Sequence, residues 1–307
     1  MTQLAAPADY DPHTLAEFAE ASLIVGDDDY LSAVEMLGLF PSGNQPTEAE
    51  IEDLLAEVER RTRQFGDLYP FRVEDRGIAF SRDGGADLYS TLVILSLKGS
   101  RLRRDKDYPR SDPIFDDIAE RAFLAKMGVG AKSVQFGWPP RNSRPSGFPD
   151  AVAWLALQLG IPVRDDEIPS NYLDDGVDIF IWNPFPDGRA GFILMAAQNT
   201  VQFEYRKKPR DVVPGHWREW LRLGTDPTVG FAIPFAMAAG DPWWHTVQSN
   251  VHLVLDRGRI LSALEGQQPE SWATWSTITE FVSTERTSLE QLDDGSASIL
   301  TRRKGDR

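Results

Sequence analysis

Two strongly apolar runs, residues 177–182 and 191–197, flank a Pro/Gly turn, and each touches a polar residue for which a buried strand has no obvious use. These are Asp178 at the start of the first run and Gln198 at the end of the second. A turn near Asp187-Gly188 predicts an antiparallel hairpin in which Asp178 lies opposite residue 197, beside Gln198, at one end of two adjacent strands. A carboxylate facing a second oxygen ligand on the neighbouring strand is a way to hold a hard divalent cation. Mg²⁺ takes one or two protein oxygens, keeps several waters and leaves room for phosphate oxygens. With a lysine nearby to orient the attacking water or stabilise charge on phosphorus, such a site hydrolyses a phosphodiester. The plainer alternatives are that Asp178, just after a glycine, is a turn residue, and that Gln198 satisfies backbone groups at a strand end.

The elements around this hairpin predict an α/β protein. Residues 46–66 read as a helix, with Thr47 and Glu50 in capping-box spacing, a stripe of Ile51, Leu54, Leu55 and Val58, and Gly66 as its end. Residues 71–80 suggest a hairpin around Asp75-Arg76-Gly77, and 86–99 a helix or a buried strand. The charged, proline-punctuated stretch 101–113 reads as a linker. Helices are expected over 114–128, 150–161 and 214–224, a short strand over 132–137, a third apolar strand over 228–235 and one long helix over 241–266. Residues 267–307 read as a polar tail.

The formal net charge of -15 is unevenly spread. Residues 1–60 hold 14 of the 47 acidic residues and one of the 32 basic ones, which leaves 33 acidic against 31 basic in the rest. A polyanion can therefore approach the body of the chain through local basic stretches such as 204–211, where Arg206, Lys207, Lys208 and Arg210 cluster. The acidic front end reads as a solvated helical surface, a docking surface for a partner subunit, or a DNA-mimicking mask over the basic stretches. There are no cysteines, hence no disulfides or thiolate-bound zinc, in keeping with a cytoplasmic protein. No secretory signal and no membrane-spanning run is expected. His13, His216, His245 and His252 are scattered without zinc spacing, and His245 and His252, two turns apart, would flank one helix face. Trp217 with Trp220, and Trp243 with Trp244, read as core or partner contacts rather than a base-stacking platform. No P-loop, GxGxxG or GxSxG string occurs.

The string 174–182 followed by 191–198 resembles the nuclease core of the restriction-endonuclease-like PD-(D/E)XK superfamily, especially its Mrr-like branch, and uncharacterised bacterial defence-associated proteins of that kind. In that branch the first acid often lies in a DGGxD string, here Asp175-Gly176-Val177-Asp178, and the second motif is often Q-x-K. The resemblance covers roughly residues 114–265. It implies a three-layer α/β core with a central mixed sheet over 111–266, preceded by a mainly helical acidic module over 1–110 and followed by the tail 267–307.

The resemblance also implies a Mg²⁺- or Mn²⁺-dependent deoxyribonuclease acting with partner subunits in bacterial defence. Asp178 would be the principal metal ligand and Gln198 the second. Asp150 is a candidate for the acid that many Mrr-like enzymes hold on the preceding helix, unless it is a helix N-cap; Asp175 is a further acidic candidate. One position departs from the pattern: Thr200 stands where Q-x-K has its lysine. Lys208, ten residues after Gln198, is the candidate for a migrated lysine, and Arg206, Lys207 and Arg210 for phosphate contacts. The alternative is a nuclease-like fold that has lost catalysis and serves as a binding or scaffolding subunit.

Overall fold

The computed structural model describes residues 4–82, 86–99, 113–165, 167–238 and 240–287. The predicted linker 101–113 falls almost wholly outside them, as does the end of the predicted tail. The chain divides into two compact units, one formed by Met1–Pro109 with Glu265–Arg307, the other by Arg110–Leu264. The described part of the predicted tail, 267–287, thus belongs with the first unit, where 275–287 are helical.

The first unit contains α1 (Pro12–Val25), β1 (Tyr30–Ser32), α2 (Ala33–Gly38), α3 (Glu48–Phe65), β2 (Phe71–Glu74), β3 (Gly77–Phe80) and α4 (Ala86–Gly99). The predicted capping box closes on α3: Thr47 accepts from the Glu50 amide, and Glu50 accepts from the Thr47 amide. Asp75 and Arg76 both take positive φ, the two-residue turn that matches strand twist, and join β2 to β3. β1 adds to the other edge of β3, giving an antiparallel order β1-β3-β2. Residues 86–99, ambiguous by periodicity, are helical. Between α1 and α3 lies an ionic network around Arg61, which is 1% exposed and bonds Glu17 and Glu20 at 2.7 Å and Glu57 at 3.0 Å.

The second unit runs α5 (Pro113–Met127), β4 (Lys132–Gln135), α6 (Phe148–Leu159), β5 (Ile179–Trp182), β6 (Leu194–Asn199), α7 (Pro214–Trp220), β7 (Thr228–Ala232), α8 (Trp243–Gln248), β8 (Leu253–Leu255) and α9 (Arg257–Ala263). The strands form one mixed sheet in sequence order. β5 is antiparallel to both β4 and β6, while β6, β7 and β8 are mutually parallel. The expected long helix over 241–266 is instead helix, strand and helix. Leu253, Val254 and Leu255 form a short apolar run that pairs with β7, and Asp256 caps the following helix through the Arg259 amide. His252 accordingly sits at the strand edge, where its backbone N–H donates to Val229 O and its Nδ1 accepts from the Val229 amide.

Helices cover both faces of this sheet, which is why β5 and β6 are buried throughout. On one face Phe180, Trp182, Leu194 and Ala196 pack with Phe148 of α6 and with Trp217 and Trp220 of α7. Phe180 and Trp217 meet edge-on with centroids 4.6 Å apart, a contact worth about 0.5–1.5 kcal/mol beyond burial. On the other face α5 sits close. A Cβ on Gly230 of β7 would come within 2.8 Å of both Phe123 of α5 and Met195 of β6, so only glycine admits the helix.

Candidate functional site

The two strands predicted to carry the chemistry are adjacent at the centre of the sheet. The register pairs Ile179 with Ala197, so continuing it sets position 178 opposite Gln198, one residue beyond the partner expected from the turn. The backbone is irregular here. Asp178 N–H donates to Ala197 O at 2.9 Å, and Asp178 O accepts from both Phe136 and Gly137 at 2.7 and 3.0 Å. This bulge-like end turns the carboxylate along the sheet, where Oδ2 accepts from the Asn199 amide at 2.7 Å. Gly137 is required at this crossing, since a Cβ there would lie 2.9 Å from Asp178 Oδ1.

Asp178 opens onto a small cleft of about 20 Å³, lined by Asp116, Gln135, Gly137, Trp138, Pro139 and Arg141. That volume holds one water or a bare ion and is too small for a nucleotide. Asp116 comes from the first turn of α5 and is 8% exposed. Burial pushes the Asp178 carboxyl well above the usual carboxylate range, and the charge of Asp116 adds to the effect. The Asn199 amide and the positive charge of Lys208 pull it back. Asp116 is held by Arg141 Nη1 at 2.6 Å on Oδ2, and Asn199 Nδ2 approaches its Oδ1 at 3.5 Å. Asn199 Oδ1, the other end of that amide, is buried without a hydrogen-bond partner among the described residues.

The fit of this site to a cation can be judged from its donors. Two carboxylates are hard ligands of the kind Mg²⁺ accepts while keeping waters. A buried acceptor with no donor costs about 1–3 kcal/mol, so Asn199 Oδ1 is an atom in want of a partner. Among the described residues no group of three or more His, Cys, Asp or Glu is arranged to hold a metal, so the cleft offers two carboxylates, Asp116 and Asp178.

The other expected residues are placed as follows. Gln198 lies on β6 between Ala197 and Asn199, and strand alternation turns its side chain to the α6–α7 face, away from Asp116. Its Oε1 is buried there and also lacks a partner among the described residues. Asp150 is exposed in the first turn of α6, whose N-cap is Gly147, and it is not among the charges that shift Asp178. Thr200, at the usual lysine position, is 2% exposed, and its hydroxyl accepts from the Gln202 amide. Lys208 lies in a 3-10 segment, Tyr205–Arg210, and pairs with Asp211 at 3.2 Å. Asp175, at φ 51°, is bonded by its carboxylate to His216 Nδ1 at 3.1 Å and lies apart from the cleft lining.

In the basic segment, Lys207 and Arg210 are exposed, and Arg206 pairs with Asp241 at 3.7 Å. The Arg206 guanidinium lies 5.3 Å from the centroid of Trp243, whose indole is 43% exposed. The residues that sequence reasoning missed are Asp116, Asn199 and Arg141. Asp116 had a visible signal: it shares a helical stripe with Ala119 and Phe123, where an acid has no packing reason to be. Among the described residues no helix is long and apolar enough to cross a membrane. No family model, curated protein or solved structure matches the chain.

Proposed function

We propose that the chain is a divalent-cation-dependent DNA endonuclease with a restriction-endonuclease-like core, working with partner subunits in bacterial defence. The observation that carries this reading is the Asp116–Asp178 pair sharing one small cleft at the end of the central strands, with the Asn199 amide nitrogen against Asp116. The mixed sheet with helices on both faces supports it, being the arrangement the sequence resemblance implies. The defence setting and the preference for DNA rest on the resemblance alone.

Asp116 and Asp178 would hold Mg²⁺ or Mn²⁺, with Asn199 positioning both carboxylates, and the ion would supply Lewis acidity toward a phosphate oxygen and lower the pKa of a bound water. The protein's own part is to hold two carboxylates in one shielded place, where the ionised pair is costly until a cation joins it. Asn199 N–H fixes the orientation of Asp178, so the carboxylate is aimed before anything binds. Lys208 is close enough for Asp178 to feel its charge and, on leaving Asp211, can meet charge developing on phosphorus. Lys207 and Arg210 supply phosphate contacts that position the nucleic acid without reading it.

The test is nicking of supercoiled plasmid with Mg²⁺ or Mn²⁺ by the parent and by Asp116→Asn and Asp178→Asn. Loss of nicking in both variants is expected; full activity in either removes that residue from the site. The second reading, a non-catalytic binding subunit, is favoured by buried Thr200 at the lysine position and by the Lys208–Asp211 pair. A parent that binds cation and DNA but does not cleave supports it.

A further inference from the structure

We propose that the first unit carries a small-molecule site of its own, a cleft between α4 and the helix 275–287 that takes a free α-amino acid, its ammonium at Asp87 and its carboxylate at Arg286. The proposal does not rest on the cation site of the second unit.

Residue spacing builds the cleft. Asp87 and Thr91 stand one turn apart on α4, and Thr279, Ser283 and Thr287, each four residues on, run along one stripe of the helix 275–287. Packed helices close such a gap with apolar side chains. Here the polar stripes line a cleft of about 420 Å³ together with Val282 and Arg286, within the size range of small-molecule sites. Asp87, Val282 and Arg286 also line a smaller chamber of about 80 Å³, so these three stand where the two spaces meet.

The walls select the ligand. Thr91 donates to Asp87 O, Thr279 to Ser276 O and Thr287 to Ser283 O, so these hydroxyls have spent their protons on backbone and keep only acceptor capacity. Asp87 adds a carboxylate with no hydrogen-bond or ion-pair partner among the described residues, where burial and the charge of Glu270 push its pKa up. An acceptor-rich wall calls for a ligand that brings donors, and a cation relieves the charge at Asp87.

Arg286 supplies the opposite end. Its Nη2 donates to Gly26 O at 3.2 Å, and its Nε is buried without a partner among the described residues. Asp27, its ion-pair partner at 3.8 Å, is 97% exposed and holds it weakly. The guanidinium therefore has donors to spare for an anion. Asp87 and Arg286 line one cleft without pairing with each other, as the two ends of a zwitterion require.

Calorimetric titration of the full chain with each of the twenty L-amino acids, without divalent cation, tests this. At least one is expected to bind, with Asp87→Asn and Arg286→Gln each weakening it about tenfold or more and Asp178→Asn leaving it unchanged. The N-acetyl and C-amide forms of that amino acid each lack one charge and are expected to lose about the same factor on the parent, a readout independent of how any variant folds. Hydrogen exchange in 275–287 is expected to slow on binding, because the ligand ties this helix to α4. No heat from any of the twenty at about 10 mM overturns the site. Binding of the N-acetyl form as tight as that of the free amino acid overturns the role of Asp87, and equally tight binding of the C-amide form overturns that of Arg286; either result ends the zwitterion assignment.

Discussion

Asp178 at the entry to β5 takes the backbone N–H of Asn199 on β6 at 2.7 Å, while the Asn199 side chain turns toward Asp116 on α5. One residue of the central strand thus serves two acids, one through its amide and one through its side chain. The carboxylate of Asp178 is held where burial and a like charge oppose its ionisation. Such a cost is retained where a site uses it.

That cost gives a stability prediction. The folded Asp178 carboxyl has a raised pKa, so above the ordinary carboxylate range the native state binds more protons than the unfolded one. Stability from this group is therefore present at low pH and falls as pH rises through the raised value. Asp178→Asn keeps an oxygen for the Asn199 amide and removes the charge. It is expected to be about 1–2 kcal/mol more stable than the parent at pH 8, with the gain shrinking toward pH 4. Urea denaturation at both pH values measures this; a variant less stable at pH 8 contradicts it.

Cation binding should carry the same signature. Mg²⁺ at about 100 times its Kd is expected to stabilise the parent by about 2.7 kcal/mol, and Asp116→Asn or Asp178→Asn much less. The affinity should rise with pH as Asp178 loses its proton. Thermal melts with and without Mg²⁺ test both; a shift identical in parent and variants places the ion elsewhere.

Gln198 and Asn199 can be told apart. Gln198→Leu replaces a buried amide whose carbonyl has no partner among the described residues, so stability within about 1 kcal/mol of the parent and unchanged cation affinity are expected. Asn199→Leu should instead weaken cation binding about tenfold or more. If calorimetry shows the reverse order, the amide of Gln198 reaches the ion and the alternation argument fails.

The exposed cations Lys207 and Arg210 flank Lys208 in sequence and carry no ion-pair partner among the described residues. Changing both to Ala should weaken DNA binding across sequences and reduce the slope of log K against log salt by about 1–2. An unchanged slope removes this segment from the interface.

In the first unit, Arg61 is the charge on which buried Glu20 depends, with Tyr69 and Tyr89 adding hydroxyl donors at 2.5 and 2.6 Å. Arg61→Met leaves the carboxylate buried without its counter-charge and is expected to cost about 3–5 kcal/mol. Thermal unfolding of the variant measures it; a loss under about 1 kcal/mol contradicts it.

Local chemistry made much of this chain legible in advance. The Thr47–Glu50 box and Gly66 bounded α3, and Asp75-Arg76-Gly77 marked the β2–β3 turn, because capping and turn geometry are decided within a few residues. The apolar runs around Asp178 announced two central strands, since only a sheet covered on both faces buries consecutive large side chains. The segment 241–266 misled because a short apolar run inside a helical pattern has no local mark of strand pairing; its partner β7 lies some twenty residues earlier.

From the sequence alone follow the hairpin, the acid at its entry and the polar pair Gln198-Asn199 at its end, all fixed by residue type and spacing. Which member of that pair serves the acid was decided by the tertiary structure. Alternation along β6 and the packing of α5 against Gly230 set the Asn199 side chain beside Asp116 and turn Gln198 to the opposite face. The partner Asp116 stands more than sixty residues before Asp178, and Arg141 lies on a loop between them. Contacts across such separations depend on how helix and sheet faces pack, and no local pattern encodes them.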